Sequence, residues 1–264
     1  MTEETTELRG PGRLFRPFVD FVEEVGTLAE LAFRSLAWTF RPPLRVGALV
    51  AQLEFVGVQS LFLVGLVGLF TGMVFAVQTI YGFRRFGAEN LMGGVVAISL
   101  TREMAPVLSA IMVAARAGSG MAAALGNMRA TEQIDALETM AVSPIQYLVV
   151  PRILAGVIMV PVLALGFLGI GISGAYLVGV VWLSVDPGVF FDRIETLLDG
   201  ADLVQGLVKA LVFGYAVTLI SCRHGFYARG GAEGVGLATT RAVVGSVVSV
   251  FFLDYLITTL LTDV

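Results

Sequence analysis

The chain has 264 residues, of which 56% are hydrophobic and 14% are charged. A soluble domain carries roughly 25% charged residues, so this chain has too few to cover a water-exposed surface. The composition excludes a soluble enzyme and a disordered chain, and the formal net charge of −4 argues against a nucleic-acid-binding face. We therefore expect an all-α integral membrane protein.

The N-terminal region separates into two parts. Residues 1–17 are predicted to form a polar N-terminal tail, and residues 18–40 an amphipathic helix, because apolar side chains recur there at i, i+3, i+4 and i+7. Pro42 and Pro43 are expected to end this helix. Trp38 near its end favours a position in the membrane interface, and a soluble docking helix is the alternative.

Five hydrophobic runs are long enough to cross a bilayer, which takes about 20 residues. We place the spans at 55–83, 91–115, 153–185, 203–222 and 242–262. We expect residues 18–264 to form a single domain, with its termini on opposite sides of the membrane. Most loop arginines lie on the side of the N-terminus, which predicts N-in, C-out topology. The other side keeps only Arg84, Arg85 and Arg193.

Small residues recur at four-residue spacing in two of these spans. Gly68 and Gly72 lie in the first, and Gly171, Ala175 and Gly179 in the third. This spacing allows two helices to approach closely. It indicates either helix packing inside one subunit or a seam between two copies.

Four charged residues interrupt the hydrophobic spans: Arg102, Glu103, Lys209 and Asp254. Each costs at least ~2.5–3.5 kcal/mol at the membrane centre. Adjacent residues on a helix point about 100° apart, so Arg102 and Glu103 cannot both be fully paired with one another. We expect partners on other helices. These residues either fix helix packing as an ion-pair network or line a polar path.

The segment 129–140 predicts a short helix on the cytoplasmic side, between the second and third spans. Thr131 suits its N-cap position. Ile134 and Leu137 form a narrow apolar stripe, with Glu132, Asp135 and Glu138 on other faces, and Arg129 begins the segment. A solvated connecting helix is the alternative, although connections in helix bundles usually need only 2–8 residues.

Several kinds of chemistry have no sequence signature here. The chain lacks GxxxxGK[ST], so it is not expected to bind nucleotide by itself, and the glycine-rich stretch 230–236 contains no lysine. Cys222 and His224 are the only cysteine and histidine, which excludes an intramolecular disulfide and a zinc site. We expect no catalytic residue, no metal and no cofactor in this chain.

Two long stretches carry a family resemblance. The first is LTREMAPVLSAIMVAARAGSGMAAALGNMRATEQIDALETMAVSP with the following YLVVPR, and the second is DLVQGLVKALVFGYAVTLISCRHGFYARGGAEGVGLATTRAVV with the later Asp254. Together they resemble the MlaE-type (YrbE-type) permease family, the membrane subunits of Mla and Mce lipid-transport ABC systems. The resemblance covers essentially residues 15–264.

This resemblance implies a homodimer in the bacterial inner membrane that moves phospholipid or another hydrophobic compound. It implies cytoplasmic ATPase subunits that bind ATP, MCE-domain substrate-binding proteins on the outer face, and a small cytoplasmic accessory subunit as a further partner; no nucleic acid is expected. The family's coupling helix falls on residues 129–140. Its intramembrane charges near the lipid cavity correspond to Arg102, Glu103, Lys209 and Asp254.

The resemblance also places a lipid cavity at the dimer centre, partly formed by the first and fifth spans. Apolar walls and a few polar contacts suit an amphiphile. The candidates in the first span are Leu66, Leu69, Phe70, Met73, Val74, Val77, Gln78 and Tyr81.

Two other functions compete with lipid transport by an ABC system. A proton-coupled secondary transporter would use Glu103 or Asp254, but five spans do not divide into two inverted halves. A non-transporting membrane scaffold would tolerate neutralisation of all four intramembrane charges.

Overall fold

The computed structural model describes residues 12–39 and 45–262, with side chains at 22–39 and 45–261. All the regular elements in these ranges are helices. In chain order they are α1 (Gly12–Thr39), α2 (Val46–Arg84), α3 (Glu89–Ala130), α4 (Gln133–Thr139), α5 (Ile145–Trp182), α6 (Pro187–Leu197), α7 (Gly200–Phe226) and α8 (Gly231–Thr262).

Five of these helices, α2, α3, α5, α7 and α8, are long and apolar enough to cross a membrane. This confirms the predicted number of spans. The helices extend well beyond several of the predicted runs; α2, for example, begins at Val46 rather than at residue 55. Hydrophobicity marks only the bilayer core, whereas helical hydrogen bonding continues into the polar interface.

The long helices contain wide π-helical turns, at Glu54–Val58 in α2, Leu100–Met104 and Ala114–Gly118 in α3, and Ile145–Val149 and Leu177–Trp182 in α5. Such turns are rare and frequently occur at functional sites. The turn Leu100–Met104 carries two of the four predicted intramembrane charges.

Helix α1 starts at Gly12, earlier than predicted, so the predicted polar tail over 1–17 includes its first turns. Residues 1–11, Phe40, Pro42 and Pro43 lie outside the described residues. The side of α1 that packs on the bundle is centred on the buried Leu31 and Ser35. Val22, Val25, Phe33 and Leu36 are exposed. The predicted apolar face is therefore divided: Leu28 and Ala32 pack against the core, whereas Val22, Val25 and Leu36 point away from it.

Glycines bring the central helices into direct backbone contact. A Cβ atom at Gly72 would lie 1.9 Å from the carbonyl oxygen of Gly171, which joins α2 to α5. A Cβ atom at Gly214 would lie 2.4 Å from the carbonyl oxygen of Gly156, which joins α7 to α5. The small residues at four-residue spacing thus serve packing within the subunit, one of the two predicted alternatives.

The two ends of the bundle differ. The end that carries α4 and the α7–α8 turn is called the α4 face below, and the end that carries α6 and the α2–α3 turn is called the α6 face. The α7–α8 turn is tight because Gly230 and Gly231 adopt φ of 96° and 63°. Helix α6 packs against the start of α3 through Phe190, which is buried against Gly93.

We expect Gly72→Ala to destabilise the folded protein by about 1–3 kcal/mol, because the added methyl group forces α2 away from α5. Gly82→Ala is the matched control on the same helix, since a Cβ atom there meets nothing within 4 Å. It should be neutral or stabilising by about 0.5–1 kcal/mol. Thermal unfolding of both purified variants in one detergent measures the difference; equal midpoints would contradict the close α2–α5 contact.

Candidate functional site

Lys209 lies at the centre of a buried polar cluster that joins three spans. Its side chain is 0% exposed. The ammonium group is 2.6 Å from Glu103 Oε2 on α3 and 2.9 Å from Asp254 Oδ1 on α8. It also donates to the Thr258 hydroxyl at 2.7 Å. The contacts with Glu103 and Thr258 are hydrogen bonds and the contact with Asp254 is an ion pair, so two carboxylates and a hydroxyl compensate the buried charge.

Arg102 pairs elsewhere, as the geometry of adjacent helical residues requires. Its Nε donates to Asp202 Oδ1 on α7 at 2.6 Å. The other carboxylate oxygen of Asp202 accepts from the backbone N–H of Asp199 at 3.0 Å, which caps the start of α7. Asp202 therefore holds the helix start and the arginine together. Sequence reasoning missed it because the predicted fourth span began one residue later.

The described cluster contains more carboxylates than cations. Arg102 and Lys209 face three carboxylates, those of Glu103, Asp202 and Asp254, so full ionisation leaves one negative charge in excess. Arg102 is 46% exposed and Glu103 is 35% exposed, whereas Lys209 has no exposed surface. The side chains of Arg102 and Glu103 are thus the most exposed part of the cluster.

The cluster lies in the half of the bundle next to the α6 face. Asp202 is in the first turn of α7, and Lys209 follows it by seven residues, or about 10 Å along the helix. The first-span candidates Gln78 and Tyr81 lie near the same face, since α2 ends at Arg84. Gln78 and Tyr81 therefore lie in the same half of the bundle as the Lys209 cluster.

The structure separates the faces of α2, which the uniformly apolar sequence left open. Its buried side carries Gly68, Gly72 and Ala76. Leu66, Phe70, Val74, Gln78 and Tyr81 are exposed, and Leu69, Met73 and Val77 are half-buried at the border between the two sides. The exposed row from Leu66 to Tyr81 runs about 22 Å along the helix. Only part of the predicted wall therefore points out of the subunit.

The short helix differs from its prediction in length and in its anchors. It covers Gln133–Thr139 rather than 129–140, because Thr131 does not cap it and Glu132 turns the chain with a φ of 57°. Arg129 belongs to the end of α3 and pairs with Asp135 at 2.5 Å. Ile134 is fully buried within the chain and presents no surface to a partner in this structure.

A partner can reach other side chains of this segment. Glu132 and Glu138 are exposed and make no ion pair among the described residues, and Leu137 is half-buried. Met140, just after the helix, is 65% exposed. Glu138 also lines two adjoining clefts of about 500 and 620 Å³, and Trp38 of α1 lines both of them as well. The reachable surface is thus acidic with one large apolar side chain.

The predicted second span ends at residue 115 and leaves Arg116 in a loop, but Arg116 lies inside α3. Its guanidinium donates to the carbonyl oxygen of Phe55 at 2.7 Å and to the Ser60 hydroxyl at 3.0 Å, and it also bonds Gln59. These contacts tie α3 to the π-helical turn of α2. Arg152 likewise lies in a helix, α5, where it is nearly buried.

Comparison with known proteins gives consistent matches over nearly the whole chain. The family model for Permease MlaE matches residues 49–260. The chain is 40% identical to the intermembrane phospholipid transport system permease protein MlaE of Haemophilus influenzae, over 94% of this chain and 95% of that protein. It is 44% identical to a probable ABC transporter permease protein of Rickettsia conorii, over 92% and 93% of the two chains.

A plant protein is also similar. The chain is 37% identical to the chloroplastic protein TRIGALACTOSYLDIACYLGLYCEROL 1 of Arabidopsis thaliana. The match covers 78% of this chain and 59% of that protein.

We expect Lys209→Met to cost about 3–5 kcal/mol, because it leaves two carboxylates facing each other without their cation. The triple variant Lys209→Met, Glu103→Gln, Asp254→Asn removes the whole charge set and should recover much of that loss. Thermal unfolding in detergent measures both. If the triple variant is as unstable as the single one, packing rather than charge compensation explains the effect.

Proposed function

Because the chain belongs to the MlaE permease family, we propose that it is the membrane subunit of an ABC-type system that moves phospholipid or a related hydrophobic compound between bacterial envelope membranes. The observation that carries this proposal is the full-length similarity to the Haemophilus protein, whose name states phospholipid transport. The structure adds five candidate spans and charged side chains within them.

The physical chemistry of the site suits an amphiphile. Such a ligand needs apolar walls for its tails and a few polar groups for its headgroup. The exposed row on α2 supplies apolar side chains, and Arg102 and Glu103 supply accessible charge at the α6 face. A headgroup at that face and tails along the helix would follow this distribution.

We place the cavity between two copies of the chain. A single copy leaves the outer row of α2 uncovered, together with exposed apolar side chains near the end of α8, Tyr255, Leu256 and Leu260. A homodimer would cover both surfaces and enclose the ligand. The assembly further includes ATPase subunits at the α4 face, MCE-domain proteins at the α6 face and a small accessory subunit.

The proposed orientation in the inner membrane is N-in, C-out. The α4 face carries five arginines near helix ends or in turns, Arg34, Arg45, Arg129, Arg223 and Arg229, and positive residues concentrate on the cytoplasmic side. Arg116, Arg152 and Arg241 lie within helices and do not count as loop charges. The asymmetry holds without them, because Arg84, Arg85 and Arg193 remain the arginines near the α6 face.

Photo-crosslinking tests the cavity. With benzoylphenylalanine at position 74, we expect capture of phospholipid, because Val74 is exposed on the outer row of α2. Position 76 is the matched control, since Ala76 lies on the same helix with no exposed surface. Mass spectrometry of the products identifies lipid or protein. Lipid capture that is equal at both positions, or protein adducts alone at position 74, would contradict the proposed wall.

Charge reversal at the α4 face tests the coupling to an ATPase. We expect Glu138→Lys to lower ATP-driven lipid transfer about fivefold or more, because like charges across an interface are costly and the partner surface should be basic. Co-purification of the ATPase should fall less, since apolar contacts of Leu137 and Met140 remain.

Glu195→Lys is the control for this variant. It makes the same charge change on α6, at the opposite face. If Glu138→Lys and Glu195→Lys transport lipid equally well, α4 is a connector and the coupling assignment fails.

A further inference from the structure

A cleft of about 870 Å³ opens at the α4 face, between α1, the end of α7 and the start of α8. It is separate from the Lys209 cluster, which lies in the half of the bundle next to the α6 face. At one end, Arg223 closes the cleft by pairing with Glu24 and donating to the Thr27 hydroxyl at 2.8 Å. These contacts hold α1 against α7.

The cleft contains unpaired positive charge. Arg229 and Arg241 line it, are exposed and make no ion pair among the described residues. Arg223 is committed to Glu24, and Glu23 is the remaining carboxylate of the lining. With His224 neutral, the cleft therefore carries one net positive charge. Of its two available cations, Arg229 lies in the turn before α8 and Arg241 lies about three turns into α8.

Apolar surface continues from the cleft along α8. Val244 lines the cleft, and Val248 and Phe252 follow it at four-residue spacing, all three exposed. From Val244 to Phe252 this row covers about 12 Å, close to the hydrocarbon depth of one leaflet, about 15 Å. A charged cleft at the interface thus opens onto an apolar track directed into the membrane.

We propose that this cleft binds an anionic glycerophospholipid, with the headgroup phosphate between Arg229 and Arg241 and an acyl chain along the Val244–Phe252 row. Guanidinium groups present planar donor pairs that match phosphate oxygens. The single net positive charge favours a lipid with a net negative headgroup over a zwitterionic one. The inference rests on the proposed function for its membrane setting, whereas binding itself requires neither ATP nor transport.

The test uses the full chain in phosphatidylcholine nanodiscs that contain phosphatidylglycerol with a photoactivatable group in its acyl chain. We expect crosslinks to peptides that include Val244, Val248 or Phe252. The double variant Arg229→Gln, Arg241→Gln should reduce these crosslinks at least about fivefold, since each basic residue near a membrane surface strengthens binding to anionic lipid by about that factor. A photoactivatable phosphatidylcholine should crosslink the same peptides weakly.

The control is Arg84→Gln, Arg85→Gln, which removes two arginines at the α6 face and should crosslink like the unmodified chain. All variants should have the same elution volume and the same thermal unfolding midpoint as the unmodified chain. Equal capture of the two lipids, or full capture by the Arg229 and Arg241 variant, would overturn the proposal. Displacement by inorganic phosphate would assign the cleft to a free anion, and crosslinks to a second copy or to an ATPase would assign it to a protein.

Failure of the cleft proposal can be distinguished from failure of the proposed transport function. Phosphatidylglycerol capture with no ATP-driven transfer by the assembled complex would support this cleft and count against the permease assignment. ATP-driven lipid transfer without phosphatidylglycerol capture would support the permease assignment and count against this cleft.

Discussion

The burial of Lys209 constrains the rest of this structure. An ammonium group without exposed surface inside a membrane span is tolerated only when other groups replace its hydration. Glu103, Asp254 and Thr258 do so, and they lie on two different helices. The positions of α3, α7 and α8 are therefore interdependent. Because α8 has little buried surface of its own, this polar contact and the small-residue contacts near its start hold it against the bundle.

Helices α2, α5 and α7 are held together by glycine contacts rather than by ion pairs. Gly72 meets Gly171 between α2 and α5, and Gly156 meets Gly214 between α5 and α7, with backbone against backbone. Such contacts depend on shape, and lipid cannot replace them since no gap is left for an acyl chain. Helix α5 is thus the packed centre, while α2 and α8 each present an uncovered apolar row. This arrangement explains why the two outward rows, rather than the centre of one subunit, are available to a ligand or a second copy.

The sequence predicted the parts of this fold that depend on length and polarity. Five runs of sufficient length gave the five spans, and four charges within them gave the members of the Lys209 cluster with Arg102. The sequence did not predict that Asp202 binds Arg102, because hydrophobicity does not show that α7 starts before the apolar run. It also could not choose the outer face of α2, which is apolar all round, or foresee the left-handed backbone at Glu132 that shortens α4. These features depend on tertiary contacts rather than on local pattern.

The shortened α4 changes how a force on it would reach the membrane. Glu132 and Ala141, both non-glycine residues with φ of 57°, lie on either side of the helix. Left-handed backbone costs an L-residue about 1–2 kcal/mol, and it persists only where surrounding contacts impose it. The buried Ile134 and the Arg129–Asp135 ion pair provide such contacts with the bundle and with the end of α3. In the proposed assembly, a push on α4 is therefore passed first to α3, the helix whose π-helical turn Leu100–Met104 carries Arg102 and Glu103. The same helix connects the α4 face to the charged cluster, so a displacement at one end need cross no other element to reach it.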